Sequence, residues 1–308
     1  MANTISYATI FQQELDKAFE AGALTGWMDQ NAGLVKYTGG SEVKIPKLAL
    51  DGLGNYDRDA GYPDGAVTLT YETMTMRQDR GRRFYLDAMD VDETSFAATA
   101  GAVMGEFQRL KVVPEVDAYR MAALCEAAGD NKSTYTPAAG TVLSKLLGDI
   151  AAVEDRVGTD VPLYIHISTA AKAMLEQSTE ISKRLEVGDF MRGEMHVQVK
   201  TLDGHPLIAM PSGRMYSKIT ILDGRTASDG ELNQAAGGYA KAADGVDINW
   251  VVVASTAPIG VCKTDTVRVF DPLTTQKANA WQLDYRKYHD LWVPENAKAG
   301  IQVNLGAK

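Results

Sequence analysis

Between Gly39 and Asp90 the chain carries a long stretch with the alternation of two β-strands and no core of its own. The first limb is Ser41-Glu-Val-Lys-Ile-Pro-Lys-Leu48, and the return limb is Val67-Thr-Leu-Thr-Tyr-Glu-Thr-Met-Thr-Met76. A middle rich in Gly, Asp, Tyr and Pro, from Asp51 to Gly65, joins them. An isolated two-stranded hairpin is marginal in water, and this one has only a thin apolar face. A segment of this length without a core is functional or is ordered by something outside itself. A neighbouring copy of the same chain is the candidate for that role.

The longest helical pattern in the chain comes directly after the hairpin. Phe96, Ala100, Val103, Phe107 and Leu110 repeat at intervals of four and three, with Asp92 or Thr94 as cap and Glu93 in the first turn. The pattern resumes after Pro114 as Val116, Tyr119 and Ala123 and runs to Gly129. Pro114 is expected to kink it or divide it in two. Ahead of the hairpin, Tyr7, Phe11, Leu15, Ala18 and Phe19 mark an amphipathic helix stopped by Gly22. Gly26 to Gly40 reads as loop, anchored by Trp27 and Leu34.

Asn131 to Gly140 reads as a linker, and beyond it helix and strand patterns alternate. Leu143, Leu146, Leu147, Ile150, Val153 and Val157 give a helix ending near Gly158. Leu163 to Ile167 is a strand, followed by a helix capped by Ser168 or Thr169. Further strands are expected at His196–Lys200, Leu207–Met210, Lys218–Leu222, Val267–Phe270 and Trp281–Val293, with a turn at Asp203-Gly204. Ile248 to Ala254 is the most apolar strand and belongs at the centre of a sheet. Ile301 to Leu305 is expected to pair back across the Pro294–Gly300 turn. The class is α+β.

Chemical motifs are missing. No GxSxG, Walker loop or GxGxxG occurs, and His166, His196, His205 and His289 show no metal-ligand spacing. His166 lies in an apolar strand and reads as a satisfied core histidine. Cys125 and Cys262 both read as small buried hydrophobes, too far apart for a disulfide framework. Asn55 to Gly61 fails as a calcium loop, because its glycine comes one residue late and Ala66 stands where the bidentate glutamate belongs. No catalytic, cofactor or metal site is proposed from the sequence.

Charge decides how the arginine cluster Arg77-Gln-Asp-Arg-Gly-Arg-Arg83 is read. The chain carries a net charge of −9, against a dedicated nucleic-acid binder, and Glu72, Asp79, Asp87 and Asp90 lie among and beside the arginines. Arginine also suits two-point ion pairs between proteins. Glu72, Arg77, Arg80, Arg82 and Arg83 are therefore expected at an interface between subunits. No run is long enough to span a membrane, and no secretion signal is read at the N-terminus.

The order of these elements resembles the major capsid proteins of tailed bacteriophages with the Hong Kong 97-like fold. The stretches that carry the resemblance are Val113-Pro-Glu-Val-Asp-Ala-Tyr-Arg120, Leu163-Tyr-Ile-His-Ile-Ser-Thr-Ala-Ala-Lys172, Val267-Arg-Val-Phe-Asp-Pro272 and Asp284-Tyr-Arg-Lys-Tyr-His-Asp290. The resemblance implies an N-terminal arm (1–38), an extended two-stranded loop (39–90), a peripheral domain with a spine helix (91–135 and 254–308) and an axial domain (136–253).

It also implies hexamers and pentamers that close into an icosahedral head around double-stranded DNA, bound without sequence specificity. A portal, and a separate scaffolding protein in place of a long cleaved N-terminal segment, are implied partners. Synthesis and assembly would take place in the host cytoplasm, and the product would be a virion component. No enzyme activity, cofactor or membrane is implied. An encapsulin-type nanocompartment shell is the alternative of the same fold. A small-molecule enzyme without a recognisable motif is the alternative of a different class.

Overall fold

The alternation in the two limbs becomes an antiparallel ladder in the computed structural model, with Leu48 opposite Leu69 and Leu50 opposite Val67. The structure describes residues 22–34, 36–37, 42–59, 61–87, 96–178, 185–192, 195–226, 234–275 and 279–307. The expected N-terminal helix and the caps Asp92 and Thr94 lie outside these residues.

In chain order the hairpin region contributes β1 (Lys36–Tyr37), β2 (Glu42–Leu50), β3 (Val67–Thr75) and β4 (Gln78–Asp87). The spine comes next as α1 (Phe96–Phe107), a π-helical turn (Gln108–Val112) and α2 (Val113–Ala127). Beyond it lie β5 (Lys132–Thr134), α3 (Val142–Val157), β6 (Leu163–Ser168), α4 (Thr169–Glu176), β7 (Leu185–Arg192), β8 (Met195–Leu202) and β9 (His205–Met210). The chain continues with β10 (Ile219–Leu222), β11 (Gly238–Lys241), β12 (Ile248–Ala254), β13 (Ile259–Phe270), β14 (Ala280–Trp292) and β15 (Ile301–Leu305).

The main core lies under a seven-stranded mixed sheet of order β5-β15-β12-β6-β9-β8-β7. Every residue of β12 is buried, as its unbroken apolar run requires of a central strand. α3 lays Val142, Leu143, Leu146, Ile150 and Val153 into that core. Ser168 caps α4, its hydroxyl accepting from the Ala171 N–H at 3.2 Å. The Asp203-Gly204 turn forms with both residues at positive φ, joining β8 to β9.

β15 departs from the expectation. It does not fold back on β14 but inserts between β12 and β5, antiparallel to one and parallel to the other. Its Ile301 and Val303 are fully buried there, a gain that a local hairpin at the surface does not offer. The sheet thus takes strands from both sides of residues 135 and 253.

A second sheet, β13-β14-β4, is antiparallel and carries the spine helix on one face. Met104, Phe107, Val112 and Val116 pack there against Phe84, Leu86, Leu283 and Tyr285. Pro114 sits in the first turn of α2, directly after the π turn, and helical backbone runs through the junction, so the spine is not divided there.

Gly26–Leu34 is a 3-10 segment rather than a loop. Buried polar contacts explain the order. Thr25 donates to Asp117 Oδ1 through N–H (3.2 Å) and hydroxyl (2.7 Å), and Arg120 reaches Thr25 O at 2.8 Å and Asp29 Oδ1 at 2.5 Å. Trp27 is buried as expected, and its indole donates to His166 Nε2 at 3.1 Å. His166 is thus a core residue partnered at Nε2, with Nδ1 lacking a hydrogen-bond partner among the described residues, and burial pushes its pKa down to about 3.

Candidate assembly surface

Side-chain alternation gives the β2–β3 hairpin two different faces. On one face Val43, Ile45 and Met74, followed by Met76, close on Ile259, Val261 and Trp292 of the second sheet. That contact uses only the base of the hairpin. On the opposite face the cross-strand pairs are Pro46–Tyr71, Leu48–Leu69 and Leu50–Val67. This ladder points away from the chain's own body: Leu48 is 55% exposed, Leu50 65%, Val67 70%, Leu69 54% and Tyr71 53%.

The tip continues the exposed apolar surface and makes contacts of its own. Asp51 Oδ2 accepts from Ala66 N–H at 2.8 Å, and the Tyr56 and Tyr62 rings sit 4.9 Å apart. Leu53 at the tip is fully exposed. An apolar surface this concentrated marks an interaction site on a folded protein, whereas scattered exposed leucines do not. Sequence reasoning missed these residues as site residues. The signal was present in the period-two spacing within each limb: Leu48 with Leu50 on one, and Val67, Leu69 and Tyr71 on the other.

The hairpin's root is pinned. Between β3 and β4 the chain turns at Met76-Arg77, where Arg77 N–H donates to Asp290 Oδ2 at 2.8 Å and Tyr288 hydroxyl to Met76 O at 3.2 Å. Asp290 also accepts from the Tyr119 hydroxyl at 2.6 Å, and burial together with this carboxylate raises the Tyr119 pKa. The arginine cluster therefore does not extend the hairpin. It forms β4, paired to β14 with Arg83 opposite Asp284.

The five residues expected at an interface make contacts within the chain. Glu72 lies 3.5 Å from Lys47 and accepts from the Glu295 N–H at 3.4 Å. Arg80 reaches Glu115 of α2 through Nε at 2.6 Å and Nη2 at 3.3 Å. Arg82 points to the carbonyls of Gly224 (3.4 Å) and Ala235 (3.5 Å). Arg83 forms a two-point pair with Asp284, at 2.7 and 2.9 Å, and holds that carboxyl below its usual range. Arg77, exposed at the hairpin root, contributes its backbone N–H to Asp290. Cys125 is buried as expected, but Cys262 is exposed on β13, where it donates to Thr264 O beside a register shift.

Among the described residues no cluster of His, Cys, Asp and Glu could hold a metal, and no helix is long and apolar enough to cross a membrane.

No protein-family model and no curated protein matches the sequence. Solved structures do. A capsid structure of cyanophage P-SCSP1u matches with TM-score 0.60 at 13% identity, over 89% of this chain and 85% of its own. The asymmetric unit of the bacteriophage PhiM1 mature capsid matches with TM-score 0.56 at 12% identity, covering 88% and 83%. The chain has a phage-capsid fold. A crystal structure of a virus-like particle from Pyrococcus furiosus shares it, with TM-score 0.51 at 11% identity over 95% and 98%. Within this capsid fold the exposed ladder stands on a hairpin whose apolar anchor, among the described residues, is its base.

Proposed function

We propose that the chain is a major capsid protein whose copies assemble into hexamers and pentamers and then into an icosahedral head enclosing double-stranded DNA. The observation that carries this reading is the Leu48–Leu69 and Leu50–Val67 ladder, turned away from the body that holds the hairpin's base. A neighbouring subunit covers it in the proposed shell. Covering a half-exposed leucine contributes on the order of 1 kcal/mol, and many such contacts repeated around a closed shell give large collective stability. The phage-capsid neighbours support the same reading.

The DNA would be held without sequence-specific contacts, since a net charge of −9 disfavours tight binding. A separate scaffolding protein and a portal would complete the assembly. The finished particle is a virion built in the bacterial cytoplasm. Arg77, exposed at the hairpin root, is the charged residue of the expected set best placed to orient a neighbour.

Electron microscopy of the purified protein tests the reading. Closed shells are expected from the full chain, and a deletion of Asp51 to Gly65 is expected to leave a folded subunit that forms none. A full chain that stays monomeric at high concentration would overturn the reading. The archaeal virus-like particle supports one rival, a nanocompartment with a protein cargo. Protein rather than DNA inside particles isolated from the native source would favour it.

A further inference from the structure

The inner face of the second sheet changes character along its length. At one end Phe84, Leu86, Leu283 and Tyr285 meet Phe107 and Met104. Toward the other end the same face presents Arg82 opposite Tyr285 and Arg80 opposite Lys287, with His289 two residues further along β14. Like charges directly across a ladder repel, so this end needs anions. Two are supplied. Glu115 pairs with Arg80, and Asp265 pairs with Lys287.

Between this face, the spine helix and the residues Asp223, Gly224, Ala236, Gly237 and Gly238 lies a cavity of about 220 Å³. Arg80, Arg82, Lys111, Lys287 and His289 line it, with Glu115 and Asp223 the carboxylates among its lining residues. Asp223 is already engaged: it accepts from the N–H groups of Arg225 and Thr226 and from the Thr226 hydroxyl, which hold its pKa down to about 2. Among the described residues Arg82 donates to the backbone carbonyls of Gly224 and Ala235. Neither Arg82 nor Lys111 forms a salt bridge among the described residues.

Two further observations point to a ligand. His289 is 2% exposed, and its Nδ1 has no hydrogen-bond partner although the residue lines the cavity. An unpaired buried polar atom is costly in an apolar setting and is normally satisfied by water or a bound group. The wall opposite Arg82 is also cut back to backbone. Gly224 and Gly237 have φ of 72° and 68°, and a Cβ on either would come within 2.9 and 3.4 Å of Arg82 Nη1. Glycine at both positions is what admits the guanidinium.

We propose that this cavity binds a small oxyanion of the phosphate or sulfate class, held by Arg82 and Lys111 at the mouth and His289 at the floor. The volume decides the size class: organic ligand pockets start near 300 Å³, so a single tetrahedral ion with water fits better. Guanidinium pairs with such oxygens through two parallel bonds, and a neutral imidazole protonated at Nδ1 donates one more. The bound ion would add a polar tie among three elements already in contact: β4 through Arg82, the π turn through Lys111, and β14 through His289. This site does not depend on the shell reading, because it lies within one subunit.

The test uses the full chain and inorganic phosphate. Thermal unfolding is followed across a phosphate titration at constant ionic strength, against a matching chloride series. A saturable rise in Tm with phosphate is expected, with a smaller response to sulfate allowed. The variants R82A and K111A are expected to weaken apparent affinity by about tenfold or more each, and H289Q to weaken it less. The variant R109A, on an exposed face and paired with Glu106, should respond like the parent. A rise no larger than the chloride series, or a response in R82A and K111A as large as the parent's, overturns the proposal. So does full competition by a short DNA duplex, which would assign the cations to a nucleic-acid backbone. Shell formation is scored separately, so its failure leaves this result readable.

Discussion

Arg80 on β4 closes on Glu115 of the spine helix through two hydrogen bonds, of 2.6 and 3.3 Å, with both side chains mostly out of solvent. The pair fastens strand to helix at the polar end of their interface, beyond the Phe84–Phe107 contact at 5.0 Å. Removing Arg80 leaves Glu115 without its ion pair, and removing Glu115 leaves Arg80 with only a long contact to Gly238 O among the described residues. R80A and E115A are each expected to cost about 1–3 kcal/mol, with a coupling near 1 kcal/mol in a double-mutant cycle. Urea unfolding of the four proteins measures it. Strictly additive losses would show that the pair does no work in the isolated subunit.

That pair also shows where sequence reading stopped. The residue types were legible: arginines suited to two-point pairing, beside acids. The partners were not, because Glu115 lies 35 residues away and Asp284 lies 201 from Arg83. The same holds for the break at Met76-Arg77. By sequence the return limb ends at Met76 and runs on into the arginine cluster without a Pro to mark a break. The Asp290 carboxylate and the Tyr288 hydroxyl, both arriving from β14, hold the break. β15 was misplaced for a related reason, since the Pro294–Gly300 turn offered a local partner and the real one, β12, lies about fifty residues back. The elements read correctly were those with strong local patterns: the buried run of β12, the Ser168 cap, and the period of α3.

Gly260 on β13 should tolerate no side chain. A Cβ there would overlap Asp29 Oδ1 and come 3.2 Å from Arg120 Nη2, the two groups of a 2.5 Å pair whose arginine is buried. G260A is expected to destabilise the subunit by about 2–4 kcal/mol through overpacking and a strained buried charge. G140A, with open space around the new carbon, should stay within about 0.5 kcal/mol. Chemical denaturation distinguishes them, and equal stability of the two variants would contradict the packing at Gly260.

His166 makes the fold sensitive to mild acid. Burial holds its folded pKa near 3, while an unfolded chain protonates a histidine near ~6.5. The unfolded state therefore takes up the proton first as pH falls. Stability is full above ~6.5 and is lost progressively toward about 3, by up to about 1.4 kcal/mol per pH unit. H166Q retains an acceptor for the Trp27 indole and does not titrate. The variant should start less stable at pH 7 and lose less between pH 6 and 4, as read from urea midpoints. His289, also buried and pushed down, keeps its own share of the slope in both proteins.

The Leu48–Leu69 pair separates folding from association. Both residues sit on the hairpin face away from the body, and neither belongs to the base cluster of Val43, Ile45 and Met76. Replacing both by serine removes apolar area that the isolated subunit already exposes, so its unfolding free energy should change by less than about 0.5 kcal/mol. In the shell, the same change forfeits about 1–1.5 kcal/mol per leucine, or 2–3 kcal/mol for each hairpin seated on a neighbour. One hairpin per subunit converts this to a critical concentration for assembly raised by roughly 30- to 150-fold. Light scattering against concentration reads that threshold, with urea unfolding of the unassembled subunit as the companion measurement. Shells that form at the parent's threshold would mean that the ladder is not the surface by which neighbours hold the hairpin. A collapse of subunit stability would mean that the ladder packs on its own chain.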